Sequence, residues 1–122
     1  MKVLLVEDRS ALADLWSASL RRMGAQVTVV ASQDAAIAYL QRDFAEVLIL
    51  SLDLGDGAPL AVADYASYRH PDTRIIPVTS KTFFSDGSVF AHVPNTCTTL
   101  ATTARPEDMA AIVEYYGNSA AV

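Results

Sequence analysis

The chain has 122 residues and a mass of 13.1 kDa, and 52% of it is hydrophobic against 19% charged. That is the length of one domain with enough apolar side chains to close a core, which excludes a disordered chain and leaves no room for a second domain of ordinary size. Nine Lys and Arg against fourteen Asp and Glu give a net charge of −5, which argues against a phosphate-binding surface and hence against direct nucleic-acid binding. The lone Cys97 excludes an internal disulfide and a cysteine-based zinc site and suits a reducing compartment.

At the amino terminus, Val3–Val6 is too short for the apolar core of a signal peptide, and Glu7, Asp8 and Arg9 end it. No stretch reaches the roughly twenty apolar residues of a bilayer-spanning helix. A cytoplasmic domain without a membrane partner is expected.

Short apolar runs alternate with segments of helical period, five pairs in all, which predicts βα repeats around a parallel sheet. Val3–Val6 reads as a central strand, continuous in hydrophobicity because both faces are covered. Leu12, Leu15, Trp16, Leu20 and Met23 recur at helical spacing over Ser10–Met23, and Gly24 supplies a left-handed end. A second strand follows over Gln26–Ala31, then a helix capped by Ser32 that carries Ile37 and Leu40. The third strand is Val47 to Leu50 or Ser51, and Pro59 opens a third helix that stops before His70 and Pro71.

Arg74–Thr79 is the fourth strand, Phe83–Val93 reads as a short fourth helix with an exposed apolar surface, and a fifth strand lies within the Thr-rich Asn95–Thr103. Pro106 starts the last helix, Met109, Ile112, Val113 and Tyr116 form its apolar face, Tyr115 faces outward, and Gly117 ends it ahead of a fraying tail.

In a doubly wound sheet the chemistry lies just past the carboxyl ends of the strands. Those positions hold Glu7 and Asp8, Ser51 to Asp53, Thr79 to Lys81, and Thr102. Adjacent carboxylates repel, and a divalent cation with oxygen ligands is one reason to tolerate them; a solvated strand end with no metal is the plainer reading. His70 and His92 have no ligand partner at useful spacing and take structural or surface roles, and Lys81 reads as a solvated lysine. No phosphate loop or nucleophile elbow is present, and nothing marks a catalytic residue.

Val3-Leu4-Leu5-Val6-Glu7-Asp8, the run Val47–Leu50 leading to Leu54-Gly55-Asp56-Gly57, His70–Thr79, and Arg105-Pro106-Glu107-Asp108-Met109 together resemble the receiver domains of two-component response regulators over nearly the whole chain. The resemblance implies a flavodoxin-like (βα)5 fold whose third strand ends in an aspartate phosphorylated from a histidine kinase with magnesium. It matches Glu7 and Asp8 to the acidic metal pair, Asp53 to the loop position that offers a backbone carbonyl to the metal, and Thr79 to the hydroxyl switch residue.

The departures are specific. The alignment puts Ser51 at the phosphoacceptor position, Thr102 and Thr103 where the family has a Lys-Pro pair, and Thr99 at the aromatic switch. Losing a carboxylate and a lysine together keeps the pocket near charge balance while removing its phosphoryl chemistry. The expectation is therefore a pseudo-receiver that is not an enzyme, with Ser51 not phosphorylated and no cofactor required, magnesium binding at most weakly.

Such a domain signals through protein contacts with a histidine kinase or another signalling protein, or as a homodimer, using the fourth helix, fifth strand and last helix. The alternative is a phosphorylatable receiver that uses Asp53 as acceptor, with magnesium on Glu7 and Asp8. A third reading is a small hydrolase or nucleotide-binding protein on the same architecture.

Overall fold

A computed structural model describes residues 1–55, 57–80 and 93–120. Its strands are β1 (Lys2–Val6), β2 (Gln26–Val30), β3 (Val47–Ser51), β4 (Arg74–Thr79) and β5 (Leu100–Ala101), and its helices are α1 (Ser10–Arg22), α2 (Gln33–Arg42), α3 (Pro59–Arg69) and α4 (Pro106–Ala120). The strands form one parallel sheet in the order β2-β1-β3-β4-β5. This is the flavodoxin-like α/β fold expected from the sequence.

Strand period sorts the core into two layers. Leu4, Val6, Leu48, Leu50 and Ile75 face one way, into a core with Ala36, Tyr39 and Leu40 of α2 and Val62, Ala63 and Ala66 of α3. Val3, Leu5, Val47, Ile49, Ile76 and Val78 face the other way, with Trp16 and Leu20 of α1 and Met109 and Val113 of α4. Strand β3, at the centre, is therefore buried at every position, whereas edge strand β2 keeps a mixed, partly exposed pattern.

Local chemistry sets the helix ends. Ser32 Oγ accepts the Ala35 amide at 3.1 Å and caps α2. Gly24 takes φ +101° after α1. His70 closes α3 in a structural role, its Nε2 lying 2.7 Å from Leu40 O and its ring edge-on to Phe44.

The structure corrects two expectations. Leu15 is 53% exposed, because α1 turns a small-residue face inward in which Ala13, Ser17 and Ser19 accompany Trp16 and Leu20. Gly117 lies inside α4, which runs on to Ala120; the Met1 side chain fills the space a Cβ at Gly117 would take. The fifth strand falls within Asn95–Thr103 as expected and is short, Leu100–Ala101, for a reason that lies in β4. Ile75 and Thr79 point their backbone groups toward the β5 side, where Ile75 N donates to Asn95 O at 2.9 Å and Thr79 O accepts from Thr102 N at 3.1 Å. Pro77, between them, has no N–H to donate, and the ladder breaks there.

The expected helix over Phe83–Val93, with Lys81 and His92, lies outside the described residues except for Val93, which is buried. Cys97 is half-buried, and burial pushes its thiol above the ordinary thiol range, which suits an inert side chain.

Candidate functional site

Parallel register sets the strand ends side by side: Val6 is level with Leu50, and Ser51 with Val78. Glu7, Ser51 and Thr79 therefore share one rim of the sheet, the position where this architecture binds ligands.

Glu7 continues β1, its amide donating to Val30 O at 3.0 Å, and its side chain is only 2% exposed. A buried carboxylate needs a partner. The turn into α1 supplies it: Arg9 Nε donates to Glu7 Oε2 and Nη2 to Oε1, both at 3.0 Å, and the Arg9 amide adds a bond to Oε2 at 2.9 Å. This is the two-pronged fork that a planar guanidinium forms with a carboxylate. The bond to Glu7 holds the Arg9 guanidinium even more firmly protonated than usual, with the Glu7, Asp53 and Asp8 charges adding to it.

The same Nη2 lies 3.5 Å from Ser51 Oγ and 3.7 Å from Asp53 Oδ2. Ser51 ends β3, is buried, and accepts the Asp53 amide at 3.2 Å. Asp53 is tied to the end of β4: Oδ2 accepts the Ser80 amide at 2.9 Å. The pocket thus joins Glu7, Arg9, Ser51, Asp53 and Ser80.

The other candidates stand around that group. Asp8 points away toward the β3–α3 loop, where Oδ2 accepts the Gly55 amide at 2.9 Å. Farther along, Gly57 has φ +100° and lies against Gln33, whose Oε1 accepts the Ala58 amide at 2.6 Å, so the loop is fastened to α2. Thr79 is buried at the end of β4, and Thr102 follows β5, tied to it through the backbone. Thr99 is exposed just before β5.

Arg9 is the residue that sequence reasoning missed, having been read only as the end of the first apolar run. The available signal was a cation directly after two adjacent acids in a strand-to-helix turn, close enough to fold back on the first of them.

Chemically, the contacts of Ser51 Oγ among the described residues are N–H donors, the Asp53 amide and the Arg9 guanidinium. Neither can take its proton, so these two contacts do not activate the hydroxyl as a nucleophile.

No model of a known protein family matches the sequence, and no curated protein matches it. Solved structures do. The chain is similar to a CheY-like response regulator receiver domain protein from Methanospirillum hungatei JF-1 at TM-score 0.89 and 19% identity, over 98% of this chain and 95% of that one. It is also similar to the N-terminal domain of a response regulator/sensory box/GGDEF protein from Carboxydothermus hydrogenoformans, at TM-score 0.87 and 18% identity over 98% and 95% of the two chains. A third match is a response regulator from Burkholderia pseudomallei with a phosphorylated aspartic acid and a calcium ion, at TM-score 0.83 and 22% identity over 97% and 69%. The class these likenesses define is the receiver fold of two-component response regulators.

That fold implies a divalent cation at the acidic rim, and the residues present do not suit one. Both Glu7 oxygens are engaged by Arg9, and Asp8 Oδ2 and Asp53 Oδ2 accept backbone amides. A divalent ion ~4 Å from the guanidinium would meet a repulsion of about 2 kcal/mol at water's dielectric and about 8 kcal/mol at the effective value for partly buried pairs. Among the described residues, no three His, Cys, Asp or Glu side chains gather as a metal site.

Proposed function

We propose that this chain is a receiver-type signalling module that works through protein contacts without aspartyl phosphorylation. The observation that carries the reading is the end of β3, where a buried hydroxyl, Ser51, stands instead of a carboxylate. Supporting it, the expected lysine position is Thr102, so the cation that would meet a phosphoryl group at the end of β5 is absent from the sequence there.

Output falls to the face around β5 and α4, where Tyr115 is 67% exposed and stands edge-on to Tyr116. The partner is a signalling protein, a histidine kinase among them, or a second copy of the chain. No helix among the described residues is long and apolar enough to cross a membrane, and a cytoplasmic setting belongs to the same reading.

The second reading, phosphorylation of Asp53 with magnesium on Glu7 and Asp8, has one observation in its favour. The Asp53 side chain is 21% exposed and opens into the same pocket as Glu7. Intact-mass measurement after incubation with acetyl phosphate and magnesium separates the two, run on the natural chain and on Asp53→Asn. The proposal expects no phosphoryl adduct on either protein. An adduct on the natural chain that Asp53→Asn abolishes would overturn it and establish Asp53 as acceptor.

A further inference from the structure

Arg9 has no part in the expectations drawn from the receiver fold, yet it contacts Glu7, Ser51 and Asp53 at the rim. Its guanidinium forks onto Glu7 at the end of β1 and reaches Ser51 and Asp53 past the end of β3. A cation at this point does what an ion would do: it offsets carboxylates on adjacent strand ends that would otherwise repel each other.

We propose that the Arg9 guanidinium is a built-in cation that takes the place of a divalent metal ion in this pocket and clamps the β1 and β3 ends without one. Three observations converge. Glu7 is buried and meets Arg9 through both of its oxygens. Arg9 adds its own backbone amide to the same carboxylate, so the fork is held by the turn as well as by the side chain. Asp53, the remaining acid of the pocket, is fixed by the Ser80 amide with its Oδ2 turned to the Arg9 side. The clamp is thus present at any metal concentration, and the site would not follow cellular magnesium. The inference rests on reading the rim as a receiver-type pocket, but it is tested by ion binding alone, whether or not any residue is phosphorylated.

The probe is Mn2+, followed by the electron paramagnetic resonance signal of the free ion as it is titrated into the natural chain and into Arg9→Gln. Arg9→Gln keeps a hydrogen-bonding side chain but removes the charge. It should bind Mn2+ at least roughly tenfold more tightly than the natural chain, and adding Glu7→Gln to it should abolish the gain, which assigns the ion to this rim. Arg9→Met, which keeps the aliphatic stem, is the second variant if Arg9→Gln does not fold by circular dichroism. Equal binding by the natural chain and the variants, or no binding by any of them, would overturn the proposal, because Arg9 would then not be what occupies the ion's place.

Discussion

Trp16→Ala should lower the unfolding free energy by about 3–5 kcal/mol, the cost of emptying a large buried aromatic site. Trp16 is 1% exposed and belongs to the layer formed by α1, α4 and one face of the sheet, together with Leu5, Ile49 and Val113. Removing it would leave a void beneath the central strands, and domains of this kind hold only about 5–15 kcal/mol in total. A second variant sharpens the test. The indole Nε1 is buried with no hydrogen-bond partner among the described residues, so Trp16→Phe deletes an unmatched donor along with part of the volume. It should cost about 1–2 kcal/mol, clearly less than alanine. Urea unfolding followed by circular dichroism is the suitable measurement, because this is the chain's only tryptophan and both variants lose its fluorescence.

Arg9→Ala should cost about 1–3 kcal/mol, more than an exposed ion pair contributes. Breaking a buried pair by removing one partner leaves an unmatched charge, at about 3–5 kcal/mol when the pair is fully buried. Here Glu7 is 2% exposed but Arg9 is 41% exposed, so water reaches one side of the pair and the cost is reduced. Glu7→Gln should relieve much of the penalty in the Arg9→Ala background, because the orphaned charge is gone. A double-mutant cycle by urea unfolding would then show a coupling of about 1 kcal/mol or more between positions 7 and 9. Additive effects would mean that the fork contributes nothing beyond solvent exposure.

Much of this fold is legible in the sequence. β1, β3 and β4 are continuous apolar runs because α-helices cover both faces of the central sheet, and Ser32, Gly24 and Pro59 mark helix ends through local backbone chemistry alone. Where the reading departs from the structure, contacts distant in sequence decide. Hydropathy favours Leu15 as a core residue, but α1 packs through Ala13, Ser17 and Ser19, and Ser19 Oγ donates to Pro106 O at 3.2 Å from α4, a contact no local pattern contains. Gly117 reads as a helix stop until the Met1 side chain is seen to occupy its missing Cβ.

The candidate site divides in the same way. Topology alone assembles Glu7, Ser51, Asp53 and Thr79, because parallel strands end at one rim. The departure at Ser51 is likewise visible from the register of β3, which the structure ends at that residue. The direction of the Arg9 side chain is not legible, since a guanidinium after a strand end can face solvent as readily as turn back; the buried Glu7 carboxylate selects the second course.

The central claim is that the pocket neither recruits a divalent ion nor accepts a phosphoryl group. Its most direct test follows the backbone amide resonances of Ser51, Leu52, Asp53, Thr79 and Ser80 while magnesium chloride and then beryllium fluoride, an acyl-phosphate mimic, are added to the natural chain. The account predicts that these resonances keep their positions relative to a sodium chloride control. Saturable shifts centred on Asp53 and Thr79 would contradict it and show a working phosphoryl site.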